Sequence, residues 1–296
     1  MQTKMREVKK AVILSAGIGS RFLPATKTLP KEMLPIIEYP AIHYIVKELV
    51  QAGITEIVLV SRNINAVTAK YFDHDTDLEN QLTKDNKTSI LQKVQELNDV
   101  AHIAFIKQDP NLPYGTASAI VSAKSWIGND NFVLVYSDDF MISDYNPTKQ
   151  LLDKFNADDE SEGVLMTYEI PHEECSKYGM VETKGETNIM TSVKEKPQPD
   201  ETDSNVTLIG RFVFTPKFLD YLDEKYRVNL KEFYATDCFN AMAKDHKLLV
   251  HKLEGEWITT GDPMNMLRAT LAIGLKNPEY AEKVKSIIQE FEKRID

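Results

Sequence analysis

The chain has 296 residues, of which 42% are hydrophobic and 27% are charged, a composition typical of a globular protein with a substantial buried core. Its formal net charge of −10 leaves no basic excess that could neutralise a phosphate backbone, which argues against a protein that binds nucleic acid. An acidic chain that handles phosphates needs a few local Lys and Arg residues, usually together with a divalent cation.

The predicted elements begin with a strand–helix–strand unit. The continuous apolar run at 11–14 ends in small residues and glycine, which indicates a buried parallel strand. Residues 41–52 have helical apolar spacing, and Gly53 stands where a helix C-cap belongs. Residues 54–60 predict a second buried strand, so the unit indicates a parallel sheet with a right-handed crossover.

The same alternation continues over the next eighty residues. Residues 77–97 are polar with a helical pattern and a break near the middle, which indicates an excursion outside the sheet. Strands are predicted at 103–106 and 132–136, with a helix at 116–126 between them. Carboxyl ends of parallel strands share one edge of a sheet, so the polar segments that follow these strands are expected to meet there.

The pattern changes after about residue 160. Shorter strands separated by turns are predicted at 164–169, 180–183, 192–194 and 208–214. Residues 263–295 have the pattern of two amphipathic helices, interrupted near Asn277-Pro278.

We therefore predict an α/β fold with a Rossmann-like, mixed and mostly parallel central sheet flanked by helices. No repeat or flexible linker divides the chain. A single domain over 1–296 is expected, with a first half at about 9–160, a second half at about 161–262 and C-terminal helices at about 263–296.

The cellular compartment is expected to be the cytoplasm. The apolar run near the N-terminus is too short for a signal peptide or a membrane span, so no contact with a membrane is expected. Cys175 and Cys238 have no metal-ligand or redox spacing, and free buried thiols are favoured over a disulfide in a reducing compartment.

The loop after the first strand carries the strongest chemical signal. Gly17 and Gly19 allow backbone N–H groups to approach anionic oxygens, and Arg21 and Lys31 can supply cationic contacts to a triphosphate. Phe22 stands where a dinucleotide-binding loop has its third glycine, and no Gly-Lys-Ser/Thr triplet follows. An NAD-linked dehydrogenase and a Walker A nucleotidase are therefore both disfavoured.

The segment 21–27, Arg-Phe-Leu-Pro-Ala-Thr-Lys, followed by 30–35, Pro-Lys-Glu-Met-Leu-Pro, resembles the signature of sugar-1-phosphate nucleotidylyltransferases. The resemblance is greatest to their bacterial UTP–glucose-1-phosphate uridylyltransferase subfamily, and it runs in order from about residue 9 to residue 275. It implies the nucleotide-diphospho-sugar transferase type of fold and an enzyme that converts UTP and glucose 1-phosphate to UDP-glucose and pyrophosphate. It also implies a Mg²⁺ cofactor and a homodimer or homotetramer.

The resemblance assigns roles to residues along the chain. The catalytic residues are Arg21, Lys31 and Asp138, and Asp138, which follows a buried strand, is also the Mg²⁺ ligand. The nucleotide-binding residues are Ala16, Gly17, Gly19, Ser20, Gln108, Gly115 and Thr116; the amide of Gln108 suits the donor and acceptor groups of uracil or thymine. The sugar-phosphate-binding residues are Gly179, Glu195, Lys196, Asn205 and Gly210.

Two departures from the family pattern leave alternatives open. Pro-Tyr-Gly-Thr at 113–116 replaces the usual Gly-Leu-Gly-His, so dTTP or another pyrimidine nucleotide, or another hexose 1-phosphate, remains an alternative substrate. Thr259 stands where the family has its second metal-binding Asp, and Asp262 is an alternative ligand. A non-catalytic regulatory protein that binds a nucleotide sugar is the alternative of a different class.

Overall fold

The computed structural model of the chain describes residues 6–63, 66–228 and 231–295. The strands are β1 (Val8–Ser15), β2 (Pro35–Ile36), β3 (Tyr39–Pro40), β4 (Glu56–Ser61), β5 (His102–Lys107), β6 (Asn131–Tyr136), β7 (Asp139–Ile142), β8 (Ser161–Glu169), β9 (Gly179–Thr183), β10 (Met190–Glu195), β11 (Val206–Phe214), β12 (Lys247–Lys252) and β13 (Glu256–Thr259). The α-helices are α1 (Ala41–Gln51), α2 (Ala66–Tyr71), α3 (Thr76–Lys84), α4 (Thr88–Gln95), α5 (Thr116–Ile127), α6 (Pro147–Asn156), α7 (Ala235–Asp245), α8 (Pro263–Lys276) and α9 (Ala281–Ile295).

Four parallel strands from the first half of the chain lie side by side in the order β6-β1-β4-β5. Ala11, Val12 and Ile13 of β1 are each fully buried, because α1 and α5 help to cover opposite faces of the sheet. A strand that is buried on both faces needs a continuous apolar run and not an alternating one. The prediction of parallel strands from such runs is confirmed.

Strands from the second half of the chain extend the same sheet. β11 lies antiparallel against β6, with Phe212 opposite Leu134, and it also pairs with β8 and β9. β12 and β10 complete a nine-stranded sheet within the described residues. β10 and β11 are antiparallel to β1, and the other strands of this sheet are parallel to it. This confirms a mixed, mostly parallel sheet flanked by helices.

The predicted helices agree with the structure at the positions where the sequence pattern was strongest. α1 ends just before Gly53, whose φ of +91° is the left-handed conformation that follows a helix end. The polar excursion forms α3 and α4 with a break between them, and the C-terminal segment forms α8 and α9 with a break at 277–280. Other elements, among them α6, α7, β7, β12 and β13, were not predicted.

A two-stranded antiparallel ribbon of β7 and β13 lies outside the large sheet. Its register places Thr259 opposite Asp139 and Trp257 opposite Met141. The sequence prediction placed Asp138 and Asp139 together after a strand. In the structure Asp138 lies in the turn after β6, whereas Asp139 already begins β7. The ribbon therefore brings residues about 120 positions apart in the chain to one end of β6.

A buried ion pair connects α1 to β11. Arg211 is fully buried, and its guanidinium donates to both carboxylate oxygens of Glu48 at 3.0 and 2.8 Å. Thr148 of α6 donates a further hydrogen bond to Glu48 at 2.6 Å. Glu48 thus connects α1 to both β11 and α6.

The structure also bears on the state of the cysteines and on the length of the apolar helices. Cys175 and Cys238 are both free and buried, as expected. Among the described residues, the helices all fall short of the length or apolar character that crossing a bilayer requires.

Candidate functional site

The glycine loop follows β1 and turns sharply at Gly19. Gly19 has a φ of +66°, in the left-handed region, and its carbonyl accepts hydrogen bonds from the Phe22 N–H and the Thr26 hydroxyl at 2.9 and 2.8 Å. This turn returns the chain so that Lys31 lies over Gly17. A Cβ atom at Gly17 would be 3.6 Å from Lys31 Nζ.

Lys31 and Asp138 form an ion pair at the ends of β1 and β6. Lys31 Nζ lies 2.6 Å from Asp138 Oδ2, and the two side chains are 13% and 34% exposed. Burial acts to raise the pKa of Asp138, but the charges of Lys31 and Arg21 outweigh it and lower that pKa below its usual value. The pKa of Lys31 is raised, because the attraction of Asp138 exceeds the opposing effect of burial. Both groups are therefore charged.

The absence of a side chain at Gly261 leaves a small cradle between three functional groups. A Cβ atom at Gly261 would lie 3.3 Å from Arg21 Nη1, Asp138 Oδ2 and Thr259 Oγ1 alike. These groups come from the glycine loop, the turn after β6 and the end of β13. We call this space the Gly261 cradle. It brings a cation, a carboxylate and a hydroxyl within reach of one atom-sized position.

The donor set of the Gly261 cradle fits a hard divalent cation such as Mg²⁺. Mg²⁺ prefers oxygen ligands, usually one or two protein carboxylates with water and substrate phosphates. Asp138 offers one carboxylate and Thr259 offers a hydroxyl at the same position. Within the described part of the chain, no three His, Cys, Asp or Glu residues are grouped to hold a metal without other ligands. The protein would hold the ion through Asp138, assisted by Thr259.

Asp262, the alternative ligand, is engaged elsewhere. Its carboxylate caps α8 by accepting the backbone N–H groups of Met264 and Asn265 at 3.1 and 3.0 Å, and it also accepts the side-chain amide of Asn265. Such an N-cap carboxylate is stabilised by the helix end that it serves. The geometry therefore favours Thr259 over Asp262 as the neighbour of Asp138.

Asp139 has a structural role that sets it apart from Asp138. It is 8% exposed and accepts the Gly210 N–H at 2.6 Å and the Trp257 indole N–H at 2.8 Å. Burial, together with repulsion from Asp138, raises the pKa of Asp139 to about 6. Asp139 thus ties β7 to β11 and β13, while Asp138 faces the cradle.

The turn at 113–116 is attached to the segment before α7. Gly115 has a φ of +139°, and a Cβ atom there would lie 2.2 Å from the Phe233 carbonyl oxygen. The Phe233 N–H donates to the Tyr114 carbonyl at 2.8 Å, and the Ala235 N–H donates to the Thr116 hydroxyl at 2.8 Å. Thr116 therefore uses its hydroxyl oxygen to anchor the start of α7.

Three of the predicted sugar-phosphate residues, Gly179, Glu195 and Lys196, lie together at the end of β10. Glu195 Oε2 accepts a hydrogen bond from the Thr236 hydroxyl at 3.1 Å, and a Cβ atom at Gly179 would lie 3.4 Å from the same oxygen. Lys196 Nζ lies 3.8 Å from Glu195 Oε1 and is half exposed. The φ of Lys196 is +48°, a conformation that costs free energy for a residue with a Cβ and that tends to occur at functional sites.

Tyr136 links the cradle to the sugar-phosphate residues. The pKa of Tyr136 is raised, first by loss of hydration and then by the negative charges of Glu195, Asp139 and Asp138. A Cβ atom at Gly210 would lie 2.4 Å from Tyr136 Cβ, so β11 packs directly on this side chain. Glu195 and the Asp138–Asp139 turn therefore both lie close enough to Tyr136 to affect its ionisation.

Other predicted residues have less defined surroundings. Ser20 is exposed and Ala16 is half-buried at the end of β1. Gln108 follows β5, where its backbone N–H donates to the Ser61 carbonyl at 2.8 Å. Asn205 is exposed at the start of β11, and its carbonyl accepts the Ile170 N–H at 2.9 Å. Their contacts to a nucleotide or a sugar remain predictions.

Sequence reasoning missed three residues of the site: Gly261, Thr236 and Tyr136. Each lies inside or beside a segment whose resemblance was noted, but none has a side-chain type that by itself indicates a role. A glycine between Thr260 and Asp262 was the best available signal, since it leaves space beside an expected metal site.

Comparisons with known proteins agree with one another. The profile of the nucleotidyl transferase family matches residues 10–274. The UTP–glucose-1-phosphate uridylyltransferase of Staphylococcus epidermidis is 33% identical over 291 residues, which cover 97% of this chain and 100% of that relative. The protein of the same name in Bacillus subtilis is 31% identical, with 95% of this chain and 96% of that relative covered. The structure of UTP-bound UGPase from Acinetobacter baumannii has a TM-score of 0.86 at 28% identity, and 96% of this chain and 99% of that chain are covered.

Proposed function

The chain belongs to the nucleotidyl transferase family, and we propose that it transfers the uridylyl group of UTP to glucose 1-phosphate, giving UDP-glucose and releasing pyrophosphate. The names of its relatives support this choice of substrates. The observation that carries the proposal is the convergence of Arg21, Asp138 and Thr259 on the Gly261 cradle, with Lys31 2.6 Å from Asp138. A phosphate chain at this position would meet two cations and a carboxylate that can share a metal ion with it.

The reaction needs no strong general base. A sugar phosphate has a second pKa of about 6, so its attacking oxygen is mostly ionised at neutral pH. This oxygen forms a bond to the α-phosphorus of UTP, and the bond between the α-phosphorus and the bridging oxygen of pyrophosphate breaks in line with it. Catalysis of this kind consists of positioning and charge neutralisation.

The residues divide this work between them. Arg21 and Lys31 bind the triphosphate and offset the charge that develops on the leaving pyrophosphate. Lys196, at the rim of the second subsite, binds the phosphate of the sugar, and Glu195 accepts hydrogen bonds from its hydroxyl groups. A Mg²⁺ ion held by Asp138 would add further neutralisation of the phosphate oxygens.

The choice of base and sugar rests on fewer residues. Gln108 lies at the end of β5 on the same edge of the sheet as the glycine loop, where its amide can pair with uracil or thymine. dTTP is therefore the nearest alternative nucleotide, and another hexose 1-phosphate is the nearest alternative sugar. The turn at 113–116 is the element whose sequence motivates these alternatives.

The assembly proposed for the protein is a homodimer or homotetramer in the cytoplasm. Large apolar side chains are exposed on α8 and α9, among them Met264, Leu267, Ile287 and Phe291. Exposed apolar side chains on neighbouring helices are a common feature of surfaces that contact another chain.

A substrate panel tests the proposal. Pyrophosphate release is measured for UTP, dTTP, CTP, ATP and GTP against several hexose 1-phosphates, with and without Mg²⁺. We expect the highest kcat/KM for UTP with glucose 1-phosphate and activity that depends on the cation. Binding of UDP-glucose with no turnover for any pair would instead support a regulatory nucleotide-sugar-binding protein. The sequence feature that favours this alternative is Thr259, which stands where the family has a metal-binding Asp.

A further inference from the structure

Thr236, in the first turn of α7, makes a hydrogen bond to Glu195 that has no role in the reaction proposed above. It is 7% exposed, and its hydroxyl donates to Glu195 Oε2 at 3.1 Å. α7 and β10 come from separate parts of the chain, 41 positions apart at this contact. Glu195 is only partly buried, with 28% of its side chain exposed, so a hydrogen bond from a buried hydroxyl restricts where its carboxylate can point.

We propose that Thr236 is a positioning residue that holds the Glu195 carboxylate in the orientation needed to bind the hydroxyl groups of the hexose 1-phosphate. This inference rests on the proposed function, because it takes Glu195 to be part of the sugar subsite. Thr236 acts through Glu195 and not through a contact of its own with the substrate.

The two carboxylate oxygens of Glu195 have different neighbours. Oε2 accepts the hydrogen bond from Thr236, and Gly179 lies beside that oxygen, since a Cβ atom at Gly179 would be in van der Waals contact with Oε2 at 3.4 Å and with Thr236 Cγ2 at 3.6 Å. Oε1 lies on the side of Lys196, 3.8 Å from its Nζ. One oxygen is thus held by the protein, and the other faces the group proposed to bind the sugar phosphate.

The residues on either side of Thr236 are held by hydrogen bonds. The Ala235 N–H donates to the Thr116 hydroxyl at 2.8 Å, and the Asp237 N–H donates to the Tyr234 carbonyl at 3.2 Å. The first turn of α7 is therefore fixed to the turn at 113–116, on the side of the nucleotide. A group that positions another must be more rigid than the group it positions, and these contacts supply that rigidity.

The contact also affects the ionisation of Glu195. Burial raises the pKa of Glu195, and Asp237 and Glu232 add to this, whereas Lys196 and the Thr236 hydrogen bond oppose it. The charge of Glu195 in turn helps to raise the pKa of the Tyr136 phenol. Removal of the Thr236 donor would take away one interaction that favours the charged form, so the pKa of Glu195 would rise. A protonated Glu195 binds sugar hydroxyls less well as an acceptor, so weakening of sugar binding on acidification would begin at a higher pH.

The test compares T236V, which removes the hydroxyl at nearly constant volume, with T236S, which retains it. We expect T236V to raise the KM for glucose 1-phosphate about tenfold, as expected for loss of a hydrogen bond to a charged group. The KM for UTP should stay within about twofold, and T236S should restore the KM for the sugar. The pH below which the sugar KM increases should move upward in T236V and stay in place in T236S.

T68V is the matched control. Thr68 of α2 is 3% exposed and its hydroxyl has no hydrogen-bond partner in the described structure, so T68V makes the same chemical change at a distant buried site. T68V should leave both KM values unchanged. Thermal unfolding of all three variants reports whether a changed KM accompanies a general loss of stability.

Two results would overturn the inference while leaving the proposed function intact. One is an active wild-type protein whose T236V variant has an unchanged KM for glucose 1-phosphate. The other is a T236V variant in which the KM values for both substrates rise together and T236S restores neither. A wild-type protein that neither turns over nor binds any hexose 1-phosphate, by pyrophosphate release and by calorimetry, would overturn the proposed function and this inference with it.

Discussion

The Gly261 cradle collects one positive, one negative and one neutral side chain around a position that a single Cβ atom would fill. Arg21 is exposed, whereas Asp138 is held beside Lys31 by their ion pair. A site with two carboxylates would hold a divalent ion more strongly than one with a carboxylate and a hydroxyl. We therefore propose that Arg21 and Lys31 provide a larger share of the neutralisation of a bound triphosphate than they would beside two carboxylates.

Replacement of Arg21 by Ala is expected to lower kcat by a factor of about 10² to 10³, which is the usual cost of losing one preorganised charge-stabilising group. The KM for glucose 1-phosphate should change little, because the sugar phosphate is assigned to Lys196. Steady-state kinetics of pyrophosphate release give both values. R268A, at an exposed arginine on α8, is the control and should retain normal kinetics. Normal turnover in R21A would contradict the assignment.

Replacement of Thr259 by Asp adds a carboxylate to the cradle. We expect the Mg²⁺ concentration for half-maximal activity to fall about tenfold, because each added anionic ligand strengthens the binding of a hard cation. Titration of activity with Mg²⁺, and of Mn²⁺ binding by electron paramagnetic resonance, measures the change. T88D places the same charge on the exposed start of α4 and should leave both titrations unchanged. An unaltered Mn²⁺ affinity in T259D would show that position 259 does not face the ion.

At the level of single residues, the sequence predicts the charged groups better than their supports. Arg21, Lys31 and Asp138 were predicted to act together, and the structure brings them together. Asp138 and Asp139 were adjacent and chemically equal in the sequence, and tertiary contacts distinguish them: Asp139 accepts hydrogen bonds from Gly210 and Trp257, whereas Asp138 pairs with Lys31. The role of Gly261 also depends on where distant chain segments meet, which no local pattern encodes.

Among the elements, α1 and β11 depend on each other through the buried pair of Glu48 and Arg211. Replacement of Arg211 by Met should lower the free energy of unfolding by about 3–5 kcal/mol, because it leaves a buried charge without its partner. The double variant E48Q/R211M should recover part of this loss. Urea unfolding measures all of these values. K285A removes the exposed pair between Lys285 and Glu282 and should have little effect.

Equal stability of R211M and wild type would mean that Glu48 finds water or another partner. Such an outcome would also mean that the position of β11 does not depend on its ion pair with α1. The neighbouring Gly210, which donates to Asp139, would then keep its place without the ion pair.

Elements with long, regular patterns were predicted well, and those with short or unfamiliar patterns were missed. α7 carries apolar residues at 235, 238, 239 and 242, which is helical spacing, but its N-cap residue, Tyr234, provides no side-chain hydrogen bond to the helix. α6 begins with Asn146 and Pro147, a clear start signal that the prediction did not use. β7 and β13 have four residues each, and their pairing is decided by tertiary contacts.

The stability of the whole molecule is expected to respond to acid through His43. His43 is 2% exposed, stacks on Tyr39 and lies 2.9 Å from the Tyr71 hydroxyl. Burial lowers the pKa of His43 from 6.5 to about 4, although the nearby Glu96 opposes the shift. The folded protein therefore holds this ring neutral at pH values where the unfolded chain protonates it. The stability that this provides is complete above pH 6.5 and is lost as the pH falls toward 4.

The expected loss from this group between pH 6.5 and pH 4 is about 3 kcal/mol in the free energy of unfolding. Other groups titrate in the same range, so the informative quantity is the difference between wild type and H43N. This difference should depend on pH, whereas H102N, at an exposed histidine, should follow wild type. Parallel stability curves for wild type and H43N would exclude His43 as the source.

The position of β11 has a consequence for any shortened form of this protein. β11 lies directly against β6, so the sheet built by the first half of the chain has its edge covered by a strand from the second half. A fragment that stopped near residue 160 would leave the backbone groups of β6 that face β11 without partners, along a row of apolar residues. Uncovered edges of this kind recruit strands from other molecules. We expect such a fragment to aggregate when it is produced alone, and to become soluble only when the remainder of the chain is supplied with it.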